Sequence, residues 1–185
     1  MTALLISDLH LHPGAPGVSE GFLHWLDERA RGSDALYILG DFFEAWIGDD
    51  LLDLGEQDPT GNAALASRIA AALKRLADGG TAIYLMHGNR DFLLGERFAH
   101  DAGAALLPDP SVVALGGERV LLMHGDSLCT HDEAYQAFRA QARNPLWQEQ
   151  VLSMPIQERI ALARQLREQS GEANSNKAED IMDVT

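Results

Sequence analysis

The chain has 185 residues, 46% hydrophobic and 23% charged, values that are typical of a globular domain and exclude disordered and fibrous classes. Its 28 acidic residues outnumber 14 basic ones, and the formal net charge of −14 argues against a nucleic-acid-binding protein. The single cysteine, Cys129, excludes an internal disulfide and indicates a reducing compartment.

Strand and helix patterns alternate along the first two thirds of the chain. Short apolar runs predict buried strands at 3–7, 35–39 and 81–86. Apolar residues at helical spacing predict helices over 18–31, 63–77 and 92–102. An acidic, glycine-punctuated stretch predicts a long loop over 48–61, and two short apolar runs predict a hairpin over 112–123. This order of elements indicates an α/β fold.

Beyond residue 130 the sequence becomes helical and locally basic. Asn144-Pro145 and Pro155 interrupt the helical pattern of residues 133–167, and the polar residues 170–177 are expected to lie beyond these helices. The basic patch comprises Arg139, Arg143, Arg159, Arg164 and Arg167. Such a patch is either an anion-binding surface or an ordinary solvated helix face.

Four polar clusters directly follow apolar strands, at the positions where α/β sheets bind ligands. They are Asp8-Leu9-His10, Gly40-Asp41, Gly88-Asn89-Arg90-Asp91 and His124-Gly125-Asp126. In an extended chain, side chains two residues apart point to the same side, so Asp8 and His10 are expected to chelate one ion together. Carboxylate, amide and imidazole ligands suit Mn, Fe or Zn better than Ca. The alternative is a set of turn residues with capping histidines, although turn chemistry does not require histidine.

In this order, DLH, GD, GNRD and HGD resemble the motifs of calcineurin-like metallophosphoesterases. More narrowly, ILGDFFEAWIGDD, HGNRDFLLG, MHGDSLCTHDEAYQAFR and EANSNKAEDIMDV are similar to blocks of the UDP-2,3-diacylglucosamine diphosphatase family of lipid A biosynthesis. The resemblance covers essentially the whole chain. It implies an α/β (layered α+β) fold, a β-sandwich flanked by helices with a helical lid. The implied divisions are a metallophosphoesterase core over 1–130, the lid over 131–170 and a substrate-contacting segment over 171–185.

The resemblance also implies two manganese ions. Asp8, His10 and Asp41 would hold the first ion. Asp41, Asn89 and His124 would hold the second, and together the two ions would orient a bridging hydroxide. The same motifs imply which residues are catalytic and which contact the substrate. The implied catalytic residues are Asp41, Asn89, Arg90 and His124, and the implied substrate contacts are Asn89, Arg90, Asp132, Ser170, Asn174 and Lys177.

Arg90 stands where most members of the superfamily carry a histidine that protonates the leaving group. Because arginine stays charged and can donate two parallel hydrogen bonds to phosphate, electrostatic stabilisation is expected of it instead. His87 is expected to pack or to support a metal ligand rather than to bind metal itself, and Trp46 is expected to pack rather than to contact a ligand.

The implied reaction is attack of water on the α-phosphate of UDP-2,3-diacylglucosamine, which releases UMP and lipid X. The implied setting is the cytoplasmic face of the inner membrane, with peripheral attachment, since no apolar run approaches the ~18 residues of a spanning helix. The lid helices would hold acyl chains and their arginines would contact anionic head groups. Neither nucleic acid nor a protein partner is expected.

The sequence departs from the family's pattern at one point. The family completes its metal site with a Gly-His-x-His segment on C-terminal strands, and residues 1–185 contain neither. We therefore expect a fragment of a longer enzyme, with impaired activity in these residues alone. Two alternatives stay open: a non-catalytic remnant that binds phosphate or nucleotide-lipid, and a metallophosphoesterase acting on nucleotides or phosphoproteins.

Overall fold

The computed structural model describes the backbone of residues 1–175 and the side chains of residues 1–168. The chain separates into two compact units, one of residues 1–124 and a second that begins at Gly125. All strands of the described residues lie in the first unit. None of the helices within residues 1–175 is both long and apolar enough to cross a bilayer.

A four-stranded parallel sheet with the strand order β1-β2-β3-β4 is the frame of the first unit. Its strands are β1 Ala3–Ile6, β2 Ala35–Leu39, β3 Ala82–Met86 and β4 Ala104–Leu107. The register pairs Ala3 with Ala35 and Ala35 with Ala82, so the first three strands start level with one another. The loops that follow their carboxyl ends therefore lie side by side.

The helices of the first unit follow the apolar periodicity of the sequence. They are α1 Pro16–Trp25, α2 Asn62–Asp78 and α3 Glu96–Asp101. In α2, Ile69, Leu73 and Leu76 are buried, as their spacing predicts. The expected loop over 48–61 instead contains 3₁₀-helical turns over Asp49–Gln57, interrupted by a kink at Gly55, whose backbone is not helical. These i→i+3 turns need no amphipathic pattern, so composition alone did not reveal them.

β4 is a strand that the sequence analysis missed. Its residues, Ala104-Ala-Leu-Leu107, favour helix by intrinsic propensity, and the preceding helix was expected to extend over 92–102. The observed helix is shorter, and residues 104–107 pair with residues 83–86 of β3. Strand pairing has overridden local propensity here.

A hairpin of β5 Ser111–Leu115 and β6 Glu118–Leu122 forms a second, antiparallel sheet. Leu122 of the hairpin is buried in one cluster with Tyr37 and Met86 of the parallel sheet, and Val113 packs against the same cluster. The two sheets thus form the expected sandwich, with apolar side chains buried between them.

The described part of the second unit is helical. Its helices are α4 Glu133–Ala142, α5 Pro145–Leu152 and α6 Ile156–Ser175. The breaks fall at the predicted Asn144-Pro145 and Pro155. Residues 170–175, expected beyond the helices, continue α6 instead, although serine, glycine and asparagine are weak helix formers and only the absence of proline after Pro155 favours this continuation.

Candidate metal centre and active site

The loops after β1 and β2 stay hydrogen-bonded beyond the ends of these strands. The amide of Asp8 donates to the carbonyl of Gly40 at 3.1 Å, and the amide of His10 donates to the carbonyl of Asp41 at 2.9 Å. Three of the predicted metal ligands are therefore held in fixed register by backbone contacts before any side chain is considered.

Asp8, His10 and Asp41 all adopt left-handed backbone conformations, with φ of 56°, 48° and 49°. The extended geometry expected of Asp8 and His10 is therefore wrong, because left-handed residues bend the chain and end its two-residue periodicity. A left-handed conformation costs a non-glycine residue roughly 1–2 kcal/mol, although aspartate tolerates it better than most. Strain of this kind collects at functional sites, where neighbouring contacts fix the backbone.

The Asp41 carboxylate is the centre of the candidate site. It is 4% exposed, and its two oxygens lie 3.8 Å from Nε2 of His10 and 3.8 Å from Nε2 of His124. Asp8, Asp41 and His124 each offer a ligand atom within 4.8 Å of one another. Burial raises the pKa of the Asp41 carboxyl, and nearby Asp91 adds to this, against opposing effects of the Arg90 amide and both histidines. A bound cation would stabilise the ionised carboxylate and so offset the free-energy cost of burying its charge.

The ring of His124 is held in one orientation. Its Nδ1 lies 2.9 Å from the carbonyl oxygen of Leu39, the last residue of β2. Because a carbonyl only accepts hydrogen bonds, Nδ1 carries the proton and Nε2 presents its lone pair on the side of Asp41. A fixed tautomer of this kind is typical of metal-binding histidines.

Asn89 supplies an independent indication of a cation. Its Oδ1 is buried and has no hydrogen-bond partner among the described residues. A buried acceptor left in this state costs about 1–3 kcal/mol, so such atoms normally have a partner. The carboxylates, imidazoles and this amide oxygen together fit a divalent ion.

Arg90 is fixed beside Asp41 through its backbone. Its amide donates to Oδ1 of Asp41 at 2.9 Å, and its carbonyl accepts from the amide of Trp46 at 3.2 Å. The half-buried guanidinium makes no ion pair with any side chain in residues 1–168. It is therefore available for an anionic group brought to this part of the first unit.

Two glycines allow the strand ends to approach one another. A Cβ on Gly88 would lie 2.1 Å from Oδ1 of Asp41, and a Cβ on Gly40 would lie 2.6 Å from Nδ1 of His124. Gly40 also has a φ of +93°. Any larger residue at either position would displace a ligand side chain.

Asp91 is a residue of the site whose role the sequence analysis did not assign. It is 1% exposed; one oxygen accepts from the amide of Gly88 at 2.7 Å, and the other accepts from the amide of Phe42 at 2.7 Å. Asp91 thus ties the loop after β3 to the loop after β2. Its place in the GNRD motif was the only available signal.

His87 and Trp46 have the packing roles expected of them. Nε2 of His87 lies 2.6 Å from the carbonyl oxygen of Leu94. The buried ring of Trp46 packs against Phe43 and Phe98, with ring centroids 4.8 and 4.9 Å apart. These contacts support the wall of aromatic side chains behind the loop after β2.

The predicted substrate contacts beyond residue 130 belong to the second unit. Asp132 is the N-cap of α4, and its carboxylate accepts from the amide of Tyr135 at 3.0 Å. Ser170 and Asn174 lie in α6 beyond the described side chains, and Lys177 lies outside the described residues. Their substrate contacts stay predictions.

Three of the five arginines of the basic patch are engaged within the second unit. Arg139 Nε lies 3.0 Å and Arg143 Nη2 lies 3.9 Å from Oδ2 of Asp126. Arg159 is 3% exposed and donates through Nε to the carbonyl of Met154 at 3.0 Å. These three side chains therefore have partners within the second unit, and the contact of the patch with lipid head groups stays a prediction.

Comparison with known proteins agrees with this geometry. The family model for calcineurin-like phosphoesterases matches residues 1–177. A Chromohalobacter salexigens protein named UDP-2,3-diacylglucosamine hydrolase is 58% identical over 186 residues, which cover 100% of this chain and 71% of that protein. Proteins of the same name from Pseudomonas aeruginosa and Marinobacter nauticus are each 56% identical over 100% of this chain, which covers 73% and 72% of their lengths. The chain belongs to the calcineurin-like phosphoesterase family.

Proposed function

We propose that the protein hydrolyses the pyrophosphate bond of UDP-2,3-diacylglucosamine in lipid A biosynthesis, releasing UMP and 2,3-diacylglucosamine 1-phosphate (lipid X). One observation carries this proposal: Asp8, Asp41 and His124 converge at strand ends in a chain 58% identical to a protein named for that hydrolysis. In the proposed reaction a water oxygen adds to the α-phosphorus, and the bond to the β-phosphate breaks.

The family is metal-dependent, and the ligands present fit a divalent ion; Mn²⁺ is the ion we propose. The residues that would hold it are Asp8, His10, Asp41, Asn89 and His124. A bound divalent ion activates water near neutral pH and stabilises negative charge that develops on phosphate oxygens. Mixed oxygen and nitrogen ligands favour Mn²⁺ over Ca²⁺.

The protein's own groups position the reacting phosphate. Arg90 carries a permanent charge and a planar pair of donors, which suits two phosphate oxygens at once. The Asp91 bridge and the fixed ring of His124 keep the ligand set from moving when substrate binds. Little reorganisation is then needed as charge develops, which is the main route to electrostatic catalysis.

Association with the inner membrane is part of the proposal, because a diacylated substrate resides in a bilayer. The second unit offers apolar surface for this role: Leu146 is 72% exposed at the start of α5, and Leu152 and Met154 are exposed near its end. Two exposed arginines of α6, Arg164 and Arg167, suit anionic head groups. We therefore propose peripheral attachment, at the cytoplasmic face of the inner membrane.

The test is turnover of UDP-2,3-diacylglucosamine in H₂¹⁸O, with both products analysed by mass spectrometry. We expect Mn²⁺-dependent release of both products, loss of activity with a chelator, and ¹⁸O in UMP rather than in lipid X. UDP-glucose, which lacks acyl chains, is the matched control and should be a poor substrate. Faster hydrolysis of nucleotides or a phosphopeptide would favour the alternative metallophosphoesterase.

A further inference from the structure

His10 faces a carboxylate on the side opposite Asp41. Its Nδ1 lies 2.9 Å from Oε2 of Glu44, whereas its Nε2 lies 3.8 Å from Oδ2 of Asp41. The imidazole is thus placed between two acidic side chains, each of which faces a different ring nitrogen. Glu44 belongs to none of the four polar clusters at the strand ends.

The backbone holds Glu44 in this place. Its amide donates to the carbonyl of Leu11 at 3.2 Å, and Leu11 pairs with Phe43 in a parallel bridge. Leu11 directly follows His10 and is buried. The register between the two loops therefore brings the Glu44 side chain next to the His10 ring.

The two histidines beside Asp41 are oriented in different ways. Nδ1 of His124 lies against the Leu39 carbonyl, a backbone group that no substitution removes. Nδ1 of His10 is buried, and its 2.9 Å contact with Oε2 of Glu44 is close but is not aligned as a hydrogen bond; no other acceptor among the described residues is hydrogen-bonded to it. The orientation of His10, unlike that of His124, depends on a side chain.

We infer that Glu44 is a positioning residue, which holds the proton of His10 on Nδ1 and so directs the Nε2 lone pair toward an ion beside Asp41. The inference rests on the proposed metal site. A carboxylate behind a metal-binding histidine fixes the tautomer and strengthens the ligand, and its loss typically weakens metal affinity 10- to 100-fold. Glutamine at position 44 would keep an acceptor oxygen but lose the charge.

The first measurement is the tautomer of His10 in the metal-free protein, read from ¹⁵N imidazole shifts at about pH 8, above the ordinary histidine pKa. We expect Nδ1–H in the wild type and a shift toward Nε2–H in Glu44→Ala, with Glu44→Gln in between. His124 is the internal control, and its tautomer should not change. An Nε2–H tautomer for His10 in the wild type, or no change in Glu44→Ala, would overturn the inference.

The second measurement is Mn²⁺ affinity, from the electron paramagnetic resonance signal of free Mn²⁺. Glu44→Ala should weaken binding ~10- to 100-fold and Glu44→Gln less, whereas Glu56→Gln, which removes the same charge from an exposed position, should stay within twofold. Equal affinities in all variants would contradict the role. If only the proposed function were wrong, the result would be different: the changes in tautomer and in Mn²⁺ affinity would still be seen, in a protein that does not release UMP.

Discussion

An Asp41 carboxylate oxygen lies 3.8 Å from Nε2 of His124, although the two residues follow different strands of two different sheets. His10 lies at the same distance from the other oxygen of Asp41. The shared carboxylate makes Asp41 the residue on which both halves of the site depend.

Asp41→Asn should remove nearly all hydrolysis, with a fall in kcat of at least ~1000-fold, because a neutral amide would not replace the carboxylate that we propose two cations share. Asparagine tolerates the left-handed backbone and can still accept from the Arg90 amide, so the fold should survive. Initial rates of UMP release with excess Mn²⁺, beside a circular dichroism spectrum, check both points. Activity within tenfold of the wild type would contradict the shared-carboxylate role.

Arg90→Lys keeps the charge but loses the planar pair of donors, so we expect a fall of roughly 10- to 100-fold in kcat rather than complete loss. Arg90→His separates this role from proton donation. If Arg90 acted as a general acid, histidine would preserve or raise the rate, and the pH profile would gain an acidic limb. We expect neither.

The left-handed backbone at Asp8 predicts a difference between two small substitutions. In the metal-free protein, Asp8→Gly should be about 1 kcal/mol more stable than Asp8→Ala, because glycine adopts positive φ without strain. At the neighbouring Ser7, whose φ is not positive, glycine should be no more stable than alanine. Urea unfolding of the four variants measures this, and the reverse order at position 8 would contradict the strained backbone.

The lowered pKa of the buried Asp58 carboxyl makes the free energy of unfolding depend on pH in acid. Asp58 is 5% exposed; burial opposes its ionisation, but hydrogen bonds from the Ala63 amide and from Thr60 outweigh burial and lower its pKa. A lowered folded-state pKa means that its contribution is complete above the unfolded value of about 3.9 and is lost as pH falls through the folded value.

Asp58→Asn should therefore lose about 0.5–2 kcal/mol of unfolding free energy at pH 7, typical of a lost contact at a helix start, and less at pH 3. Urea titrations at both pH values measure the effect, with the exposed Glu28→Gln as control. An equal loss at both pH values would show that the charge of Asp58 does not matter.

Three strands of the parallel sheet, β1, β2 and β3, could be predicted, because each is a short apolar run that a polar cluster follows. β4 could not, since its Ala-Ala-Leu-Leu sequence favours helix and only pairing with β3 makes it a strand. The continuation of α6 through residue 175 was missed for a related reason. Its polar composition resembles a linker, and propensity without an apolar stripe gives a weak signal.

Within the site, the order of the clusters indicated which residues come together, but not how they are held. Left-handed φ at His10 and the placement of Glu44 both arise from hydrogen bonds between loops that are distant in sequence. Asp91 likewise acts through amides far from it in the chain. Such contacts depend on how distant loops are aligned in the folded chain, and no local sequence pattern encodes that alignment.

The most direct test of the shared Asp41 carboxylate is anomalous diffraction from crystals of the protein grown with Mn²⁺. We expect two manganese peaks about 4 Å apart, both in contact with Asp41, one also near Asp8 and His10 and the other near Asn89 and His124. Manganese that binds with no peak touching Asp41, or that leaves Asn89 Oδ1 without a metal contact, would contradict it.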